Sequence, residues 1–240
     1  LDAATPDWHD PAIWTNMDYL MQQAAQHHIF VILHFAAYRS YLEAQNIAPY
    51  DPANWTAFLQ FVGARYSHAT ALAYYSLSAE AASPLSQNPF RVSGDQLLAF
   101  FRQTSDTLYA ADGGHHLISA GGFASLAENL GVPWQAIFAL PHITVTATHA
   151  YSAPERNFVA TIAQWSSQHN KPYVLEEFGF QQGDGDAQRA QHFTAVFQLC
   201  QQAGAAGTIF WNLGPEAAPQ SFDVNAQTPL TMQAIQAAAP

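Results

Sequence analysis

Six short apolar runs recur along this chain, separated by stretches of helical periodicity, and this alternation constrains the fold more than any other feature. The runs are Ile29–Leu33, Leu72–Leu77, His116–Ser119, Ile143–Thr148, Tyr173–Leu175 and Thr208–Trp211. They are apolar along their length rather than alternately polar, as strands are in a sheet covered by helices. Between them lie helix signals. Asp10-Pro11 and Asp51-Pro52 each place an N-cap before a proline at the first helical position. Asp95 reads as the cap of a helix through Leu97, Leu98, Phe101 and Leu108. Further helices are predicted from Glu155 to Gln168, from Asp186 to Gly204 and from Thr228-Pro229 to Ala238. Ala36–Tyr50 reads as a loop, and Gly113-Gly114 and Gly121-Gly122 as turns. Strand and helix in strict alternation predict parallel strands joined by right-handed crossovers, in one α/β domain spanning residues 1–240.

Charge narrows the choice of partner. Eighteen acidic against seven basic residues give a formal net charge of −11. A nucleic acid or an anionic membrane surface would require a basic face, so neither is expected, whereas a neutral sugar is compatible. One cysteine, Cys200, excludes an internal disulfide and any multi-cysteine metal site, and its helical neighbours Phe193, Val196 and Phe197 mark it as core. No apolar run approaches the ~18 residues of a membrane span, and no secretory leader is visible.

The polar and aromatic residues gather just after the strands. His34, Glu80, His149 with Tyr151, Glu177 and Trp211 each follow a different apolar run. In an α/β barrel that end of the strands carries the active site. A carboxylic acid that donates a proton and a carboxylate that attacks the anomeric carbon together suit glycoside cleavage, and aromatic rings give flat surfaces on which sugars stack. Two adjacent acids, Glu176 and Glu177, compete for one role. Regular alternation places Glu177 on the face of Tyr173 and Leu175, with Glu176 pointing the other way.

These features, in this order, resemble the retaining glycoside hydrolases of clan A, most of all family 5, which holds cellulases and β-mannanases. The resemblance rests on Leu33-His34, Leu77-Ser78-Ala79-Glu80, His149-Ala150-Tyr151, Glu177-Phe178-Gly179 and Phe210-Trp211. It implies a TIM-type (β/α) barrel, a β-linked glucan or mannan as substrate, and no cofactor or metal. Glu80 would be the acid/base and Glu177 the nucleophile, with Tyr151 hydrogen-bonding that nucleophile. His34, His149 and Trp211 would line the cleavage subsite, Trp211 as its platform. The resemblance also implies secretion.

The chain departs from that pattern in two places. The family carries Asn-Glu-Pro at the acid/base, where this chain has Ala79-Glu80-Ala81. The lost Asn would contact the hydroxyl beside the anomeric carbon, so a carbohydrate-binding barrel with weak or no turnover is the rival reading. In addition, six βα units are visible against the family's eight. The expectation is that two N-terminal units come from a further segment of the same protein or from a partner. A nucleophile elbow, His-Glu-x-x-His, a phosphate loop and a dinucleotide glycine pattern are all absent from the sequence. A metal shared by His34, His149 and Glu177 is not expected, because no His-x-His stands on a first strand.

Overall fold

The computed structural model describes residues 8–124 and 126–238, and it realises the alternation as six strands and eight α-helices among them. The chain forms two compact units, one of residues up to Gly121 with Asn129–Val145, the other of Gly122–Glu128 with residues from Thr146 onward. Each contains a three-stranded parallel sheet.

In the first unit, β1 (Val31–His34), β2 (Leu72–Ser76) and β3 (Leu117–Ser119) pair in that order. Helices α1 (Pro11–Gln26), α2 (Ala36–Ala44), α3 (Thr56–Tyr66), α4 (Gly94–Asp112) and the short α5 (Trp134–Phe138) belong to this unit. The Asp10 carboxylate accepts from Ala12 N at 2.9 Å, which is the cap the sequence predicts. The core is aromatic: Trp55, Phe58, Phe100 and Phe101 are buried, and Tyr38 stacks on Phe58 with ring centroids 4.0 Å apart.

Several expectations change here. Ala36–Ala44 is a helix, because Ala, Arg, Leu and Glu are good helix formers and outweigh the tyrosines between them. Helix α4 is capped by Ser93 in a reciprocal capping box with Gln96, which leaves Asp95 in the first turn, where it complements the helix dipole. At Asp51-Pro52 the chain makes a single 3-10 turn before α3 begins at Thr56. The first strand begins at Val31, with Phe30 74% exposed just before it.

The second unit holds β4 (Thr146–His149), β5 (Tyr173–Phe178) and β6 (Gly207–Phe210), with β5 central. Its helices are α6 (Ala153–Gln168), α7 (Asp186–Ala203) and α8 (Pro229–Ala238). Cys200 is buried against this sheet, and burial pushes its thiol pKa up. Gly204 ends α7 in the left-handed conformation, as expected. The first turn of α8 is capped from a distance. The Asp186 carboxylate accepts from Leu230 N at 2.8 Å and from Thr231 N at 3.0 Å, and takes the Thr231 hydroxyl at 2.7 Å. No helix among the described residues is long and apolar enough to cross a membrane.

Candidate active site

Glu177 occupies the end of β5, where the sheet is irregular on both sides. Thr148 pairs with Leu175, but His149 pairs with Glu177. On the other side Leu175 pairs with Thr208 and Phe178 with Phe210, so one extra residue of β5 is accommodated there as well. Such bulges re-aim side chains. The alternation expected through Glu176 and Glu177 therefore does not persist, and the two acids are told apart by their partners instead. Glu176 is buried and its Oε2 accepts the Gly122 N–H at 2.7 Å. Glu177 is partly exposed and its Oε2 accepts the Tyr151 hydroxyl at 2.8 Å. The His149 imidazole lies between them, Nδ1 3.5 Å from Glu177 Oε2 and Nε2 4.0 Å from Glu176 Oε2.

Tyr151 is held on several sides. Ser152 and Glu155 form a capping box at the start of α6, and the Glu155 carboxylate accepts from Tyr151 N at 2.9 Å as well as from Ser152 N at 2.7 Å. Arg156 Nη1 donates to the Tyr151 carbonyl at 2.7 Å, and burial lowers the pKa of that guanidinium. Phe222 packs edge-on against the Tyr151 ring. The Ser-x-x-Glu spacing is legible in sequence; the contribution of Phe222, from a distant loop, is not.

Two glycines permit the packing. A Cβ on Gly122 would lie 2.0 Å from the His149 ring, so the residue read as part of a turn is a point of close approach. A Cβ on Gly179 would meet the Trp211 carbonyl at 2.6 Å and the Phe222 ring at 2.9 Å, which gives the glycine of Glu177-Phe178-Gly179 a steric reason. Trp211 follows β6, its N–H bonded to the Phe178 carbonyl at 2.7 Å, and it remains 48% exposed. The second unit thus gathers His149, Tyr151, Glu176 and Glu177 in one cluster, with Trp211 at the end of the neighbouring strand.

The first unit carries the other two expected residues. His34 ends β1 in register with Ser76, and Glu80 stands four residues beyond Ser76. Glu80 is exposed, and its φ of 46° lies in the left-handed region. Arg39 Nη1 donates to the carbonyls of Ala79 at 2.8 Å and Glu80 at 2.7 Å, and Ala82 N donates to the Tyr50 hydroxyl at 2.6 Å. Burial pushes the Tyr50 pKa up, against the opposing pull of the nearby Arg39 charge.

No protein-family model matches the sequence, and no curated protein matches it. Solved structures do. An endo-1,4-β-mannanase from Rhizomucor miehei aligns with a TM-score of 0.76 at 18% identity, over 93% of this chain and 76% of that one. An endo-β-1,4-mannanase from Thermotoga petrophila aligns at 0.72 and 15% identity, over 92% of this chain and 61% of that one. A glycoside hydrolase family 5 mannosidase from Rhizomucor miehei, in complex with mannosyl-fructose, gives 0.70 at 14% identity, over 97% and 76%. At these identities the likeness is one of architecture: the chain has the α/β fold of the family 5 glycoside hydrolase barrels, over part of their length.

Proposed function

We propose that this chain is the greater part of a retaining β-glycoside hydrolase that acts on a β-linked glucan or mannan by double displacement. Residues 1–240 are read as one partial barrel domain of a secreted enzyme. Glu177 attacks the anomeric carbon while Glu80 protonates the departing oxygen. Glu80 then takes a proton from water, which displaces Glu177 and regenerates the starting configuration. Neither step requires a metal or cofactor. The observation that carries the reading is the Tyr151 hydroxyl on Glu177 Oε2 at 2.8 Å, at the end of a parallel strand. That hydrogen bond fixes one carboxylate oxygen of Glu177, and the His149 imidazole lies beside the same oxygen at 3.5 Å. Trp211, half exposed at the end of β6, serves as sugar platform, and His34 and His149 as polar contacts. β1 and β6 are each an edge strand of their own sheet and partly exposed, which supports the expectation that further βα units pair with them.

The test is hydrolysis of cello- and manno-oligosaccharides with the anomer formed first followed by NMR. Net retention is expected. Inversion would refute double displacement, and binding without product would establish the rival reading that Ala79 motivates.

A further inference from the structure

Ala79, Ala81 and Ala82, which flank Glu80, are buried and offer no polar side chain, and none of them fixes its backbone torsion as a proline would. Yet Glu80 adopts φ 46°, a conformation that a side-chain-bearing residue keeps only where the surroundings enforce it. Groups from outside the loop hold its main chain. Arg39, on the helix that follows β1, spends one guanidinium nitrogen on two successive carbonyls, Ala79 at 2.8 Å and Glu80 at 2.7 Å. Its side chain is only 15% exposed, and its Nε lies 3.6 Å from Glu43 Oε1 one turn further along the same helix. Tyr50, buried, accepts the N–H of Ala82 at 2.6 Å on the far side of Glu80.

We propose that Arg39 is a positioning residue for general-acid catalysis, fixing the main chain on either side of the Glu80 side chain so that its carboxyl is presented in one orientation. The inference rests on the reading of Glu80 as acid/base. Charge-assisted hydrogen bonds suit such a role, being short and about twice as strong as neutral ones.

The chemistry supplies a readout that a merely structural role would not move. A sugar alkoxide is a poor leaving group and needs the proton, whereas a dinitrophenolate departs without it. Arg39→Ala is therefore expected to lower kcat/KM on oligosaccharides by roughly 100-fold, the scale of a misplacement near 1 Å. On the matching dinitrophenyl glycoside the loss should be no more than a few-fold. Arg39→Lys, which retains one charged donor, should restore part of the oligosaccharide activity. Glu80→Ala, measured on the same pair of substrates, separates the two claims. If it shows the leaving-group dependence and Arg39→Ala does not, Arg39 has no positioning role and the acid/base assignment stands. If Glu80→Ala shows none, both fall. Should Arg39→Ala fail to fold, Tyr50→Phe removes the hydroxyl that both Ala82 N and the Arg39 side chain engage, and the same substrate dependence, smaller in size, is expected. Equal losses on both substrates in a variant that melts like the parent would overturn the proposal.

Discussion

Glu177 lies inside a strand and is held by its carboxylate, on which Tyr151 donates directly, whereas Glu80 lies beyond a strand and is held by its main chain, with Arg39 on the carbonyls and the side chain exposed. The difference follows from what each group does in the proposed reaction. A nucleophile requires one oxygen in a defined place, and a hydrogen bond to that oxygen supplies it. An acid/base must exchange its proton with the leaving group and then with water. Arg39 holds the main chain on either side of Glu80, which fixes where the side chain begins.

The largest expected effect tests the first half of this contrast. Glu177→Gln should reduce kcat by about 10⁴-fold or more on every substrate, including activated aryl glycosides, as loss of a nucleophile does. Glu176→Gln, whose amide oxygen can still accept from Gly122, should retain most of the activity. The reverse ranking would exchange the roles of the two acids. Glu80→Gln comes next, with a loss of about 10²–10⁴-fold on oligosaccharides and much less on dinitrophenyl glycosides; a loss uniform across leaving groups would erase the contrast. Tyr151→Phe, which deletes one hydrogen bond to a charged group of about 1.5–3 kcal/mol, should cost roughly 10- to 150-fold in kcat/KM, measured by initial rates.

Two smaller effects concern stability. Gly122→Ala places a methyl against His149 and should destabilise the protein by about 1–3 kcal/mol in denaturant titration. An unchanged midpoint would show that the His149 ring can move away. At Asp186, partial burial raises the carboxyl pKa, but hydrogen bonds from the Thr231 hydroxyl and from the Leu230 and Thr231 N–H groups outweigh it, and the net shift is downward. A lowered folded pKa means stability that is present above the ordinary Asp value near 3.9 and lost as pH falls through the folded value. Asp186→Asn should therefore flatten the acid limb of the melting curve and cost about 1 kcal/mol or less, because the group is partly exposed.

What the sequence revealed follows the same division. The βα rhythm was legible because buried strands are apolar throughout, and Asp10-Pro11 and Gly204 mark helix ends whose chemistry is local. Glu177, Tyr151 and His149 could be read as one group because they end adjacent strands. Helix α2 was obscured by its tyrosines. The bulge at Glu176-Glu177 was invisible because alternation assumes regular pairing, and irregular pairing leaves no mark in composition. Arg39 was hidden for a different reason. Its partners are main-chain carbonyls some 40 residues away, and a carbonyl is the same at every position.

The most direct test of the account is covalent. A fluorosugar inactivator with a good leaving group forms the glycosyl-enzyme and traps it, and peptide mapping by mass spectrometry then locates the attached sugar. One adduct is expected, on Glu177, within Tyr173–Phe178. An adduct on Glu176, or inactivation without any covalent sugar, would contradict it.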